Sequence, residues 1–240
     1  MAEKTALALP VTITDDSIVE IRKRLLEWGR KHYKEFPWRM PEQLWHGLIA
    51  EILLQRTKVS SVLPVYEAFL KRFPTVESLA QASESDIEEI IYPLGLRWRT
   101  PLLKKLGEYL AQTGAEIPRT LEGLLTLPGV GAYVAAAWLG FHGGGRSVII
   151  DANIVRWLCR LVDQPMDGET RRKKWLIELA DRFTPQNNTR EYNYAVLDFS
   201  MEICTPTPRC GECPLGTDFC LYRRKRLLQS ADSTFVTEKA

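Results

Sequence analysis

Four cysteines stand in one short run, Cys204-x5-Cys210-x2-Cys213-x6-Cys220. Within it Pro206, Pro208, Gly211, Pro214 and Gly216 bend the chain repeatedly. So many turn residues exclude one continuous helix or strand across the run, yet they let four thiols wrap around one small centre. Zinc and an iron–sulfur cluster both accept four thiolates. Spacing alone leaves the two equal, because many zinc sites show two C-x2-C pairs and this run has one. A disulfide framework would spread its cysteines along a secreted chain. The fifth cysteine, Cys159, stands alone. The stretch Ala6-Leu7-Ala8-Leu9-Pro10 is too short for a signal-peptide core, and the expectation is a reducing, cytoplasmic setting.

The rest of the chain predicts helices. With 240 residues it can form one large unit or two small lobes. Ile18, Ile21, Leu25 and Trp28 make one apolar face behind the capping-box pattern Ser17-Ile18-Val19-Glu20. Pro41 is expected to open a second helix through Leu53, and Phe73 to end a third before Pro74. Helices are expected near 76–82, 84–91, 100–113, 120–126, 132–141, 152–161, 170–183 and 190–203. Ser147 to Ile150 is the one strand-like stretch, and the last dozen residues read as a loose tail. The apolar runs Leu48–Leu54 and Val134–Phe141 are far shorter than a membrane span.

Three places could carry chemistry. In Leu127-Pro128-Gly129-Val130-Gly131 the proline stops one helix and the glycines permit a tight turn. The helix that follows begins with free N–H groups that suit a phosphate oxygen; the plain alternative is an ordinary helical hairpin. Asp151, ahead of Ala152-Asn153-Ile154-Val155, reads first as an N-cap. The N–H bonds of a cap also favour the ionised form, a fixed negative charge of the kind an oxocarbenium-like transition state needs. Glu51 lies inside the apolar run Leu48-Ile49-Ala50-Glu51-Ile52-Leu53-Leu54. Periodicity favours a solvated stripe; if Glu51 faces a pocket instead, desolvation favours the protonated acid and makes it a proton donor.

Charge adds less. Lys plus Arg is 32 against 30 for Asp plus Glu, so the chain as a whole is no polycation. Locally, Arg97-Trp98-Arg99 with Lys104-Lys105, Arg171-Arg172-Lys173-Lys174, and Arg223-Arg224-Lys225-Arg226 are free of acids. Each suits a phosphate backbone or, equally, a solvated helix face.

Taken in order, these pieces resemble the helix-hairpin-helix DNA glycosylases, the superfamily of endonuclease III, MutY and the thymine/guanine mismatch glycosylase MIG. The resemblance spans about Leu26 to Tyr222. It rests on Phe36-Pro37-Trp38-Arg39, Glu51-Ile52-Leu53-Leu54-Gln55-Arg56-Thr57, the 127–131 turn, Asp151-Ala152-Asn153 and the cysteine run. The family's usual cysteine spacing is C-x6-C-x2-C-x5-C; here the outer gaps are five and six. The resemblance implies an all-α fold of two lobes with double-stranded DNA across both and a flipped nucleotide in the cleft between them. One lobe would be the bundle 36–147 with its hairpin at about 121–141; the other would join 1–35 to 148–226, leaving 227–240 as a flexible tail.

It also implies a structural [4Fe–4S] cluster on Cys204, Cys210, Cys213 and Cys220, with zinc as the alternative. Gln55 would fill the gap in the duplex beside a wedging Leu96, and Arg56, Gly129, Val130 and Gly131 would contact DNA. Bifunctional members carry a lysine where this chain has Tyr133. The implied reaction is therefore hydrolysis of the N-glycosidic bond without strand cleavage, with Asp151, Tyr133 and Glu51 at the reacting nucleotide. The partner would be duplex DNA carrying a mismatched or damaged base, bound by a monomer.

Asp151-Ala152-Asn153 and Leu197-Asp198-Phe199-Ser200 are similar to MIG, and only twenty residues follow Cys220, where MutY carries a further domain. Gln55 and Thr57-Lys58-Val59 are closer to MutY. The expectation is removal of thymine or uracil opposite guanine. The alternatives are MutY-like adenine removal opposite guanine or 8-oxoguanine, and a non-catalytic helical DNA-binding module.

Overall fold

The computed structural model describes residues 13–95 and 97–237, with side chains as far as Gln229. Two compact units divide the chain: one runs to Lys34 and resumes at Val148, and the other is Glu35–Ser147. Among the described residues every regular element is helical.

The discontinuous unit begins with α1 (Asp15–Lys31), whose N-cap Thr14 accepts the Ser17 N–H at 3.2 Å. Asp15 and Asp16 in its first turn and Arg30 and Lys31 in its last complement the helix dipole. The inserted unit holds α2 (Leu44–Leu54), α3 (Val59–Arg72), α4 (Val76–Gln81), α5 (Glu84–Ile91), α6 (Thr100–Gln112), α7 (Leu121–Leu125) and α8 (Ala132–Phe141). Reciprocal capping boxes start α4 (Thr75 with Ser78) and α5 (Ser83 with Asp86). Its core gathers Trp45, Leu48, Ile52, Tyr66, Phe69 and Trp138. The chain then returns to the first unit with α9 (Ala152–Leu161), α10 (Lys174–Phe183), α11 (Thr189–Glu202), α12 (Gly216–Phe219) and α13 (Leu221–Thr237).

In that unit α1 packs on α11 closely enough that a Cβ on Gly29 would lie 2.4 Å from the Ala195 Cβ, so no larger residue fits there. Arg22 of α1 donates from Nε to the Phe183 carbonyl at 2.8 Å. A cation thus sits on the C-terminal carbonyls of α10, where the helix dipole favours it.

Five segments differ from expectation. Helix α1 is capped by Thr14 one turn earlier than the Ser17–Glu20 box, which lies inside the helix. Helix α2 starts at Leu44 rather than Pro41, because Gln43 is extended and its Oε1 accepts the Trp45 indole N–H at 2.5 Å. Ser147–Ile150 forms no strand; among the described residues no other strand exists to pair with it. The helix expected over 170–183 is a 3-10 turn (Thr170–Arg172) followed by α10, with Lys173 extended between them. Asp167 causes the break: its carboxylate accepts the Glu169 N–H, the Thr170 hydroxyl and the Lys173 ammonium, all within 2.9 Å. Those same bonds pull its carboxyl down to about 2. From Leu227 to Thr237 the chain is helical rather than a loose tail, since no glycine or proline interrupts 221–240.

Candidate active site

Thr120 caps α7 by accepting the Gly123 N–H at 3.1 Å, and α7 leads into the 127–131 turn. Gly129 adopts φ +76°, left-handed backbone that favours glycine. A Cβ there would also stand 3.1 Å from the Leu102 Cβ. Val130 turns its side chain inward, and Gly131 has open space where a Cβ would go. Helix α8 starts at Gly131 with no side-chain cap. Its first N–H groups therefore end the hairpin as uncapped donors at the positive end of a dipole, the arrangement that receives an anion oxygen. Tyr133 stands exposed on this first turn.

Glu51 is not on a solvated stripe. Nine of the eleven α2 residues are buried, so the helix has no polar face to offer it. Its carboxylate points inside the unit, with Oε1 3.5 Å from Nε2 of His142. Sequence reading did not single out His142; the only trace of it is Gly47, one turn before Glu51.

Helix α2 ends at Gln55, which is half-buried, and Arg56 follows, exposed and left-handed at φ +56°. Arg99 fixes this loop from within. It has no exposed surface, and its guanidinium donates to the Leu53 carbonyl at 2.9 Å, to the Thr57 hydroxyl at 3.2 Å and to the Gln55 carbonyl. Burial without a carboxylate pulls its guanidinium down to about 10. Leu96, expected as a wedge, lies outside the described residues; its neighbour Gly95 is left-handed at φ +70°.

In the other unit Asp151 is the N-cap of α9, its Oδ1 accepting the Ile154 N–H at 2.7 Å. Its Oδ2 accepts from Asn153 Nδ2 at 2.8 Å. Arg156 then donates to Asn153 Oδ1 at 2.9 Å and, through Nε, to the Cys204 carbonyl at 2.7 Å. These bonds fix the Asn153 amide in one orientation. A continuous chain of hydrogen bonds thus joins the half-buried carboxylate to the start of the cysteine run.

Cys204, Cys210, Cys213 and Cys220 line one cavity with Arg160 and Leu215. Arg160 donates to the Pro206 carbonyl at 2.8 Å and comes within 3.5 Å of the Cys204 sulfur. Burial pushes the thiols of Cys204 and Cys213 up, and that of Cys220 up to about 11. Among the described residues, no three His, Cys, Asp or Glu side chains are grouped closely enough to hold one metal ion. One zinc ion would need all its sulfurs about 2.3 Å from a common point. A four-iron cluster attaches each thiolate to a different iron; four cysteines lining one cavity supply the thiolates that either group takes. Cys159 is apart from this set, buried in α9.

Each basic run is paired in part. Arg97 meets Glu88 at 3.2 Å, Arg172 meets Glu169 at 2.7 Å, Lys174 meets Glu178 at 3.5 Å and Lys225 meets Asp163 at 2.9 Å. Arg99 points inward, while Trp98 beside it is half exposed.

An all-helical fold with a helix–turn–helix whose second helix has no side-chain cap, followed by a helix capped by an aspartate, defines a known class. Residues 49–181 match the HhH-GPD superfamily base excision DNA repair proteins, and the chain belongs to that family. It is 37% identical over 214 residues to the thymine-DNA glycosylase of Aeropyrum pernix, covering 85% of this chain and 95% of that one. Against the thymine/uracil-DNA glycosylase of Pyrobaculum aerophilum it is 35% identical over 216 residues, covering 86% and 93%. The solved structure of a thermostable thymine-DNA glycosylase superposes with a TM-score of 0.78 at 30% identity, over 88% of this chain and 98% of the other.

Proposed function

We propose that the chain is a monofunctional DNA glycosylase of base excision repair that flips out and hydrolytically removes thymine or uracil mispaired with guanine. The observation that carries this reading is the Asp151 carboxylate, which caps α9 through the Ile154 N–H and accepts the Asn153 amide, in a chain that follows thymine and thymine/uracil glycosylases along nearly their whole length.

The C1′–N1 bond breaks with its electron pair passing to the base, which takes a proton from Glu51. Asp151 stabilises the sugar as it becomes cationic, and water adds to C1′, giving up its proton to Asp151. Tyr133, at the lysine position of bifunctional relatives, stands beside the sugar and cannot form a Schiff base, so the product is an abasic site in an intact strand. The 129–131 turn and the α8 N-terminus take the backbone phosphates, with Gln55 and Arg56 at the vacated base position.

The discontinuous unit is the iron–sulfur domain. Cys204, Cys210, Cys213 and Cys220 would hold a [4Fe–4S] cluster, which would cross-link the loop rather than act on the base. Arg156 and Arg160 supply positive charge beside it. Purified protein is expected to be yellow-brown with about four irons per chain, and Cys213→Ser to lose colour and iron. A colourless, zinc-containing preparation would replace the cluster with zinc.

The test of substrate is a panel of duplexes carrying T·G, U·G, A·G and A·8-oxoG, followed by alkali. Cleavage of T·G and U·G is expected. Product from A·8-oxoG alone would make the chain an adenine glycosylase, and no product from any duplex would make it a binding module.

A further inference from the structure

Glu51 has a partner that the reaction as written does not use. His142 is the C-cap residue of α8, its N–H bonded to the Trp138 carbonyl at 2.8 Å. Its side chain keeps 1% of its exposure and that of Glu51 keeps 6%. Both side chains are enclosed, and the carboxylate is the more open of the two.

Neither ring nitrogen of His142 has a hydrogen-bond partner. An imidazole left so deep in a core is costly, because its polar atoms have lost water without replacement. Nε2 is 3.5 Å from Glu51 Oε1, about 0.3 Å beyond the range of a well-formed N–H···O bond. The ring is also held in place. A Cβ on Gly47 would stand 2.7 Å from its Cγ and 2.9 Å from its Nδ1, so the missing side chain at 47 makes room for the imidazole beside α2. Gly47 and Glu51 are one helical turn apart, which puts both on the face that meets His142.

We propose that His142 is a positioning residue for the glycosylase reaction. Its Nε2–H engages Oε1 of Glu51 when the nucleotide is bound, fixing the carboxyl group so that the other oxygen faces the base. Gly47 is the space that permits this. The inference rests on reading Glu51 as the proton donor. It asks no proton of His142 itself, only a fixed angle for the group in front of it.

The test is single-turnover base release from a T·G duplex, with duplex affinity and the unfolding midpoint measured for every variant. His142→Ala is expected to slow release about 10- to 100-fold, the scale of a misplaced catalytic group, with duplex affinity unchanged. His142→Gln, which keeps an N–H near the Nε2 position, is expected to recover most of the rate. Gly47→Ala keeps both side chains but displaces the ring, and should also slow release without weakening binding. In Glu51→Gln, already slow, adding His142→Ala should cost nothing further.

His142→Ala at the parental rate, beside a slow Glu51→Gln, would overturn this inference alone. So would His142→Gln as slow as His142→Ala with an unchanged unfolding midpoint, or rate losses matched by lost affinity. Glu51→Gln at the parental rate would overturn the reading of Glu51 and this inference with it. Should His142→Ala not fold, His142→Gln and Gly47→Ala decide the matter.

Discussion

Asp151→Asn is expected to slow base release about 10³-fold with little change in duplex affinity. The carboxylate has two fixed tasks, accepting the Ile154 N–H through Oδ1 and the Asn153 amide through Oδ2. An asparagine can keep only one of them without conflict. If its oxygen caps α9, its NH2 meets the NH2 of Asn153, donor against donor. Turning Asn153 over would relieve that clash but would present another donor to Arg156, which now gives a hydrogen bond to Oδ1. The helix stays capped, so the fold should hold, while the negative charge under the sugar is gone. Single-turnover kinetics with a parallel binding titration checks both halves. Turnover close to the parent would remove Asp151 from the reaction.

Arg99→Ala should have the largest effect on stability, a loss of about 3 kcal/mol. The guanidinium satisfies two carbonyls at the end of α2 and the Thr57 hydroxyl, and it is fully enclosed. Truncation strips those acceptors of their donor and opens a cavity of arginine size. Lysine is a poor substitute, since one ammonium cannot span the three acceptors. The loop that carries Gln55 and left-handed Arg56 should loosen at the same time, weakening duplex binding. Urea unfolding measures the first effect and titration the second. A change below about 0.5 kcal/mol, the range of an ordinary surface substitution, would show that Arg99 does not hold this loop.

Much of this was legible in the residues. Asp151 reads as a cap because a short carboxylate three positions before a free N–H leaves little other choice, and the structure makes it one. The helices follow their apolar spacing, and the hairpin its proline and glycines. The solvated stripe that periodicity favours for Glu51 fails for an identifiable reason. The neighbours of Glu51 one turn away inside α2, Gly47, Leu48 and Leu54, are apolar or bare, and Gln55 beyond them is only the cap residue, so the helix has no polar stripe for it to join, and a helix apolar all round is buried.

Other features lay beyond any local pattern. Arg99 sits in a basic run suited to phosphate, yet it turns inward because the end of α2, some forty-five positions earlier, needs donors. Nothing near His142 announces that Gly47 leaves room for its ring. Asp167 breaks a helix through side-chain bonds that compete with the backbone. Each of these is settled by partners distant in sequence or by side chains bonding against the local preference.

The interrupted unit has a consequence for biosynthesis. Helix α1 leaves the ribosome early, but its packing partner α11 begins at Thr189, 158 positions beyond Lys31. At ordinary elongation rates that is a wait of roughly 8 to 30 s. Throughout it Ile18, Ile21, Leu25 and Trp28 have no α11 to cover them, while all of Glu35–Ser147 is made before α11 and can collapse on its own core. The nascent chain thus carries a sticky amphipathic segment ahead of a finished insert, a natural handle for a chaperone and a liability for any product released before α11 is made.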